Sequence, residues 1–330
     1  MAVLVLTFAW TAGAVPRAWD GTSGNWTNAT KWGGTVPQAG DFVTLPLGSY
    51  TVTLDIATFD LASYTQNGGT LMFTNWDTCL RATEVTINSG KLDHATCDTN
   101  AAPGITNRVY VIATNVTVAG NGQINVDRRG FPSATNGNLY GQGPGGAYGA
   151  AGGWAGGAGH GGSGGGAYPG AIYDATNEPA LPGSGGGVRQ ANSSGAGGGV
   201  VRIDASGRVT VNGTVTANGG DSPPSCYGGG GSGGSIWISC QTFAGDTGRI
   251  SVKGGKGDNY NGGSGGGGRI AVNYNPAAQL AAGLTVGVQF GAGSETQVSK
   301  PPAGSSGTLY LPDAQILPSR WLSGAVVYFD

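Results

Sequence analysis

The feature that most constrains this chain is an internal repeat. The stretch "GGVVRIDASGRVTVNGTVTANGG" (Gly198–Gly220) aligns with "GGSIWISCQTFAGDTGRISVKGG" (Gly233–Gly255). Val201 and Ile203 match Ile236 and Ile238, Val209 matches Phe243, and Val215 and Ala217 match Ile250 and Val252. A third copy opens at "GGRIAVNY" with Ile270 and Val272, and a weaker one is "NRVYVIATNVTVAGNGQINVDRRG". Each unit holds three short runs of period two, the grammar of strands with one face in and one face out. Three strands in about 22 residues, repeated in register, are one coil of a parallel β-helix whose equivalent residues stack at about 4.8 Å. The predicted fold is all-β, a right-handed parallel β-helix over 42–315.

The same alignment places the glycines. "GGGGSGG" (Gly228–Gly234) and "GGSGGGG" (Gly262–Gly268) fall at equivalent positions between units, and residues 130–199 form an enlarged version. The excursions should leave one edge of the helix side by side. Glycines also recur every third residue, as at Gly143, Gly146 and Gly149 and at Gly156, Gly159, Gly162 and Gly165. Extended left-handed three-fold segments could pack through them. The segment Gly143–Gly166 is therefore expected to lie ordered beside the other two tracts, with a flexible linker as the alternative. A phosphate loop is excluded, because no GxxxxGK[ST] occurs and no glycine motif follows a strand and opens an amphipathic helix.

Composition bounds the function. Of 330 residues, 67 are glycine and 16 proline, a level typical of disorder. Charged residues are only 10%, however, while 8 Trp, 12 Tyr and 8 Phe supply a core. Net charge is −2 and no basic stripe exists, which excludes nucleic acid as a partner. Residues 1–14 read as an export signal, with apolar Val3–Ala12 ahead of small residues, and no later run is long enough for a membrane helix. Four cysteines allow three pairings; proximity favours Cys79–Cys97 and Cys226–Cys240, as disulfides in an exported chain. Their spacing fits no zinc pattern, and neither a metal nor another cofactor is expected.

"WDGTSGNWTNATKWGGTVPQAGDFVTL", with Trp19-Asp20-Gly21, Gly24-Asn25-Trp26, Trp32, Pro37 and Gly40-Asp41, resembles the opening module of large exported bacterial β-helix proteins. These include autotransporter-like and sorting-tag-bearing surface proteins. The glycine-rich units resemble repeats of the same class. The resemblance implies a secreted or cell-surface protein, and says little of activity. Within it, residues 15–41 form an aromatic N-terminal cap, and 316–330 begin a following segment.

Chemistry is sparse. A glycosidase needs two carboxylates across one groove. A lyase needs a base near an acidic calcium cluster. Asp55, Glu84, Asp127 and Asp204 fall in different coils, and "DRRG" (Asp127–Gly130) reads either as a sugar-acid site or as a salt bridge at a strand end. Binding candidates are Arg202, Trp237 and Arg269, read as equivalent outward positions that stack into a cation–π ladder or a shallow sugar strip. Tyr148, Trp154 and Tyr168 are the aromatics of the glycine insert. Trp19, Trp26 and Trp32 would be a sugar platform if exposed and an end cap if buried. The sequence thus points to a non-catalytic structural or adhesive protein, at the cell surface or in an extracellular fibre or matrix, whose partner is itself or an extracellular polysaccharide. The alternative is a β-helix that binds or cleaves polysaccharide as a lyase or hydrolase.

Overall fold

The computed structural model describes residues 13–98, 107–135, 138–149, 154–189, 193–260, 262–284, 286–295, 303–317 and 322–329, so most of the expected export signal lies outside the described residues. The chain is all-β, with strands over 39% of it and helix over 4%. Every pairing between named strands is parallel, and the strands form three ladders within one large sheet.

The first ladder joins Val109–Ala113 to Val200–Ala205, Ser235–Ser239, Arg269–Asn273, Gly307–Leu311 and Ala325–Phe329. The second runs from Pro16–Ala18 through Phe42–Leu45, Leu61–Gln66 and the middle of the long strands Leu80–His94 and Val109–Asn125 to Arg208–Val211 and Thr242–Ala244. The third starts at Gly24–Asn25 and climbs through Thr51–Leu54, Thr70–Phe73, Thr214–Thr216 and Arg249–Ser251 to Gln289–Gly291 and Leu322–Ser323. Leu80–His94 passes from ladder to ladder with an irregularity between Ile87 and Ser89, where Gly90 takes φ +77°, a left-handed conformation that favours glycine.

Register makes the core. Val43, Tyr64, Val85, Val116, Val209 and Phe243 stack in one inward column. Val52, Leu71, Leu92, Ile124, Val215, Ile250 and Phe290 stack in another. Val109, Val201, Ile236, Ile270 and Leu309 make the third. All belong to one buried cluster. Each such side chain contributes about 1.5–3 kcal/mol by leaving water.

Three indoles close the N-terminal end. Trp19, Trp26 and Trp32 are all buried, and Trp32 meets each of the other two edge-on at 4.8 Å. Two of their N–H groups are used internally: Trp32 Nε1 donates to the Trp26 carbonyl at 2.8 Å and Trp19 Nε1 to the Thr22 carbonyl at 2.6 Å. The short 3-10 turn Ala29–Trp32 that carries Trp32 is opened by Asn28, whose side chain accepts from Thr30 N–H, and stopped by Gly33 in the left-handed region. These tryptophans form no exposed platform.

One helix, Pro276–Ala282, departs from the all-strand expectation. Asn275 caps it, Pro276 opens it and Gly283 ends it. Its buried Gln279 accepts from Phe243 N–H at 2.8 Å and donates to the Phe243 carbonyl at 3.0 Å, as a neighbouring strand would. The helix thereby shields Thr242–Ala244, the last strand of the second ladder. Gln279→Ala should cost about 1–3 kcal/mol, since two buried backbone groups lose their partner. A shift in the urea midpoint with unchanged slope would register it.

The glycine tracts form an ordered layer at the edge where the third ladder feeds back to the first. Successive N–H groups from Gly229 to Gly234 donate in turn to Gly187, Gly263, Gly220, Ser184, Gly266 and Ala217, at 2.7 to 3.0 Å. Each neighbour recurs at every third residue: Gly187 and Ser184 in the insert, Gly263 and Gly266 in the next excursion, Gly220 and Ala217 in the preceding stretch. This is a three-fold extended segment that donates to three others. Glycine is required here by space rather than by backbone angle. A Cβ on Gly231 would sit 2.0 Å from the Ala196 carbonyl oxygen, and one on Gly233 would sit 1.9 Å from that of Val252. The insert joins the layer through Ala158 N–H to Gly230 O and Gly266 N–H to Ala158 O.

The cysteine expectation is overturned: neither Cys79–Cys97 nor Cys226–Cys240 is a disulfide. Cys226 lies in the excursion that enters Ser235–Ser239, and Cys240 follows the far end of that strand. Five extended residues at about 3.3 Å each exceed the reach of a disulfide. Cys97 Sγ lies 3.8 Å from the Asn107 carbonyl oxygen, and Cys79 interacts with Arg81, so the two sulfurs have different neighbours. Burial pushes the Cys240 thiol up to about 12, which makes it a poor nucleophile.

Candidate functional site

The outer face of the first ladder carries the site. Tyr110, Arg202 and Trp237 are in register on successive strands. Parallel strands bring outward side chains within stacking distance, so neighbours that alternate cation and ring attract. The Arg202 guanidinium lies 4.1 Å from the Trp237 ring centroid and 5.0 Å from that of Tyr110. Arg108 extends the stack, 4.4 Å from Tyr110 and 4.3 Å from Trp76. The result is a strip in the order Trp76, Arg108, Tyr110, Arg202, Trp237.

Asp204 orients it. Its Oδ2 accepts from Arg202 Nε and from the Tyr110 hydroxyl, both at 2.8 Å. Burial, and then the bond to Asp204, push the Tyr110 phenol up from its usual range, so it stays a donor. Beside the strip lies an open groove of about 680 Å³ lined by Arg202, Asp204, Trp237, Asp60, Thr83 and Thr114, among others. Trp237 Nε1 is buried without a hydrogen-bond partner among the described residues.

Asp60 and Asp204 bring two carboxylates to one groove, a convergence not visible in the sequence. Both are engaged, Asp60 with Arg81 Nε at 2.7 Å and Asp204 with Arg202 and Tyr110. Among the described residues no group of three His, Cys, Asp or Glu side chains could hold a metal. Asp127 accepts from Asn218 N–H, and Arg129 grips buried Asp93 through two bonds of 2.8 and 3.0 Å, so "DRRG" is structural.

The expected ladder of Arg202, Trp237 and Arg269 is corrected at its third member. Arg269 pairs with Ser235, while Ala271 pairs with Trp237. The cause is a two-residue offset: Arg269 directly follows its Gly-Gly, whereas Arg202 stands two places further on. Arg269 is buried under the insert, donating to the Tyr173 carbonyl at 2.9 Å and to Thr176 Oγ1 at 3.1 Å. Asn273 Nδ2 likewise donates to the Asn177 carbonyl. The insert thus covers the ladder immediately above Trp237 and bounds the strip.

Tyr148 and Tyr168 meet on the insert, in edge-to-face contact at 5.4 Å, with Tyr140 stacked on Tyr148. Trp154 is partly exposed beside Ala155, which bridges to Gly262. Tyr110 was missed, although aligning "NRVYVIA" on "GGVVRIDA" by its inward valines places it opposite Arg202. Trp76 and Asp60 carry no repeat signal, because both lie outside the strands.

No helix among the described residues is long and apolar enough to cross a membrane. No curated protein and no solved structure matches the chain. The G8 domain family, typical of extracellular and secreted proteins, matches residues 30–138, about a third of the chain.

Proposed function

We propose that this chain is a secreted or cell-surface adhesive protein, a right-handed parallel β-helix that holds extracellular polysaccharide on its first-ladder face without cleaving it. The three parallel ladders and the right-handed bias of parallel crossovers support the fold. The G8 match and the likeness of the Trp19–Trp32 module to exported bacterial β-helix proteins support the location. The observation that carries the function is the Arg202 stack between Tyr110 and Trp237 on an open groove. Aromatic faces take the apolar faces of sugar rings, while guanidinium and carboxylate edges take hydroxyls. The groove is open rather than enclosed, which suits a polymer more than a small metabolite.

Trp237→Ala should weaken binding of the preferred polysaccharide about tenfold, equivalent to about 1.4 kcal/mol. Calorimetry against neutral and uronate-containing polysaccharides would measure it. Equal affinity of wild type and variant for every polymer would remove the strip from the function. A second reading, hydrolysis, draws on Asp60 and Asp204 at one groove. Release of reducing ends that stops with Asp204→Asn would favour it.

A further inference from the structure

Tyr140 and Tyr148 lie opposite each other in an antiparallel bridge of the glycine insert. Gly141 N–H donates to the Ala147 carbonyl at 2.9 Å and Gly149 N–H to that of Leu139 at 3.2 Å, so backbone bonds on both sides hold the two residues together. Directly opposed residues have Cβ atoms about 5 Å apart. The two rings stack with centroids 4.4 Å apart and planes 27° from parallel. Tyr140 is 57% exposed, so small oxidants reach it freely. Tyr50, Tyr64 and Tyr274 are buried by contrast. Another close tyrosine pair, Tyr227 and Tyr260, sits at 5.7 Å on two different excursions; Asp258 accepts from both of their N–H groups, but the rings are further apart than those of Tyr140 and Tyr148.

We propose that Tyr140 and Tyr148 are a dityrosine cross-linking site, joined by a haem peroxidase with hydrogen peroxide. Each phenol gives up one electron and one proton and becomes a phenoxyl radical, with spin shared onto the ring carbons ortho to oxygen. One ortho carbon of each ring joins the other in a new C–C bond. Each joined carbon then passes its hydrogen to its own phenolic oxygen, restoring both phenols. The two electrons and two protons reduce one hydrogen peroxide to two waters. Coupling in solution is limited by the encounter of two radicals, and here the stack supplies that encounter. The product is a covalent ring closed over residues 140–148, which staples the outer margin of the insert.

The test uses the full chain, kept dilute to suppress coupling between molecules, with a haem peroxidase and hydrogen peroxide. Proteolysis and mass spectrometry should recover the Tyr140 and Tyr148 peptides joined and lacking two hydrogens, with the blue emission of dityrosine. Tyr140→Phe and Tyr148→Phe should each lose that product and most of the emission. Phenylalanine preserves the stacked ring, so both variants should retain the wild-type circular dichroism. Tyr260→Phe should keep the product. The proposal is overturned if no dityrosine forms. It is equally overturned if the joined peptides carry other tyrosines, or come from two molecules, while Tyr140 and Tyr148 stay unmodified.

Discussion

Gly231→Ala should destabilise the chain by at least about 3 kcal/mol, at the upper end of overpacking costs. The added Cβ would meet the Ala196 carbonyl oxygen at 2.0 Å and its carbon at 2.4 Å. Those atoms are backbone, held by their own hydrogen bonds, so they cannot swing aside as a flexible side chain would. Gly120→Ala is the matched comparison, since nothing lies within 4 Å of the Cβ it would carry. There alanine should be neutral or stabilising by up to about 1 kcal/mol, because it restricts the unfolded chain. Urea unfolding of the two variants beside wild type reads the contrast. Equal effects at both positions would mean that the glycine tracts behave as a loose linker.

Acid should destabilise the wild type by roughly 3 kcal/mol between pH 6.5 and 4, through His94 alone. His94 is fully buried; its Nε2 accepts from Val200 N–H at 3.0 Å, and Nδ1 lies 2.7 Å from the Ala95 carbonyl oxygen, to which it donates. Burial drives its pKa down from 6.5 to about 4, against the opposing pull of the Ala95 carbonyl and Asp93. Above 6.5 neither the folded nor the unfolded ring is charged and the stabilisation is complete. As pH falls through 6.5 the unfolded chain gains a proton that the folded chain refuses, and the loss levels off near 4. Asp41 and Asp174 act lower: burial opposes their ionisation, hydrogen bonds outweigh it, and their contributions fade only below the usual carboxylate range. His94→Gln, whose amide can accept from the same N–H, should be less stable throughout and should lose the slope between 6.5 and 4. An unchanged slope in that variant would assign the acid loss elsewhere.

What the sequence made legible follows from what each signal depends on. Inward valines and isoleucines could be aligned because alternation is local, and the ladders pair them as the repeat does: Val201 with Ile236 and Ile270, Val215 with Ile250. The three-residue spacing of glycines was visible too, but its partners were not. Gly229, Gly230 and Gly231 donate to three different segments, and only the stacking of excursions decides which. Outward positions were harder. The position of Arg269 depends on counting from Gly-Gly, and Tyr110 sits in the weakest copy of the repeat. The helix Pro276–Ala282 carried its signals in Asn275, Pro276 and Gly283, yet seven residues give too short a period to stand out from strands. The cysteine pairing rested on proximity along the chain, which a five-residue strand between Cys226 and Cys240 defeats.

The long insert has a consequence in time. Val109–Asn125 pairs with Val200–Ala205, and 74 residues separate the two strands. At about 5–20 residues per second, synthesis of that interval takes about 4–15 s. For that period the growing chain ends in an open row of strand donors and acceptors, the state in which a foreign strand can add. A filler of ordinary composition would offer apolar runs able to dock there in the wrong register. A filler in which 26 of 74 residues are glycine and the apolar side chains form no alternating run has nothing to anchor in the wrong register, and so leaves the edge for Val200–Ala205 when it arrives.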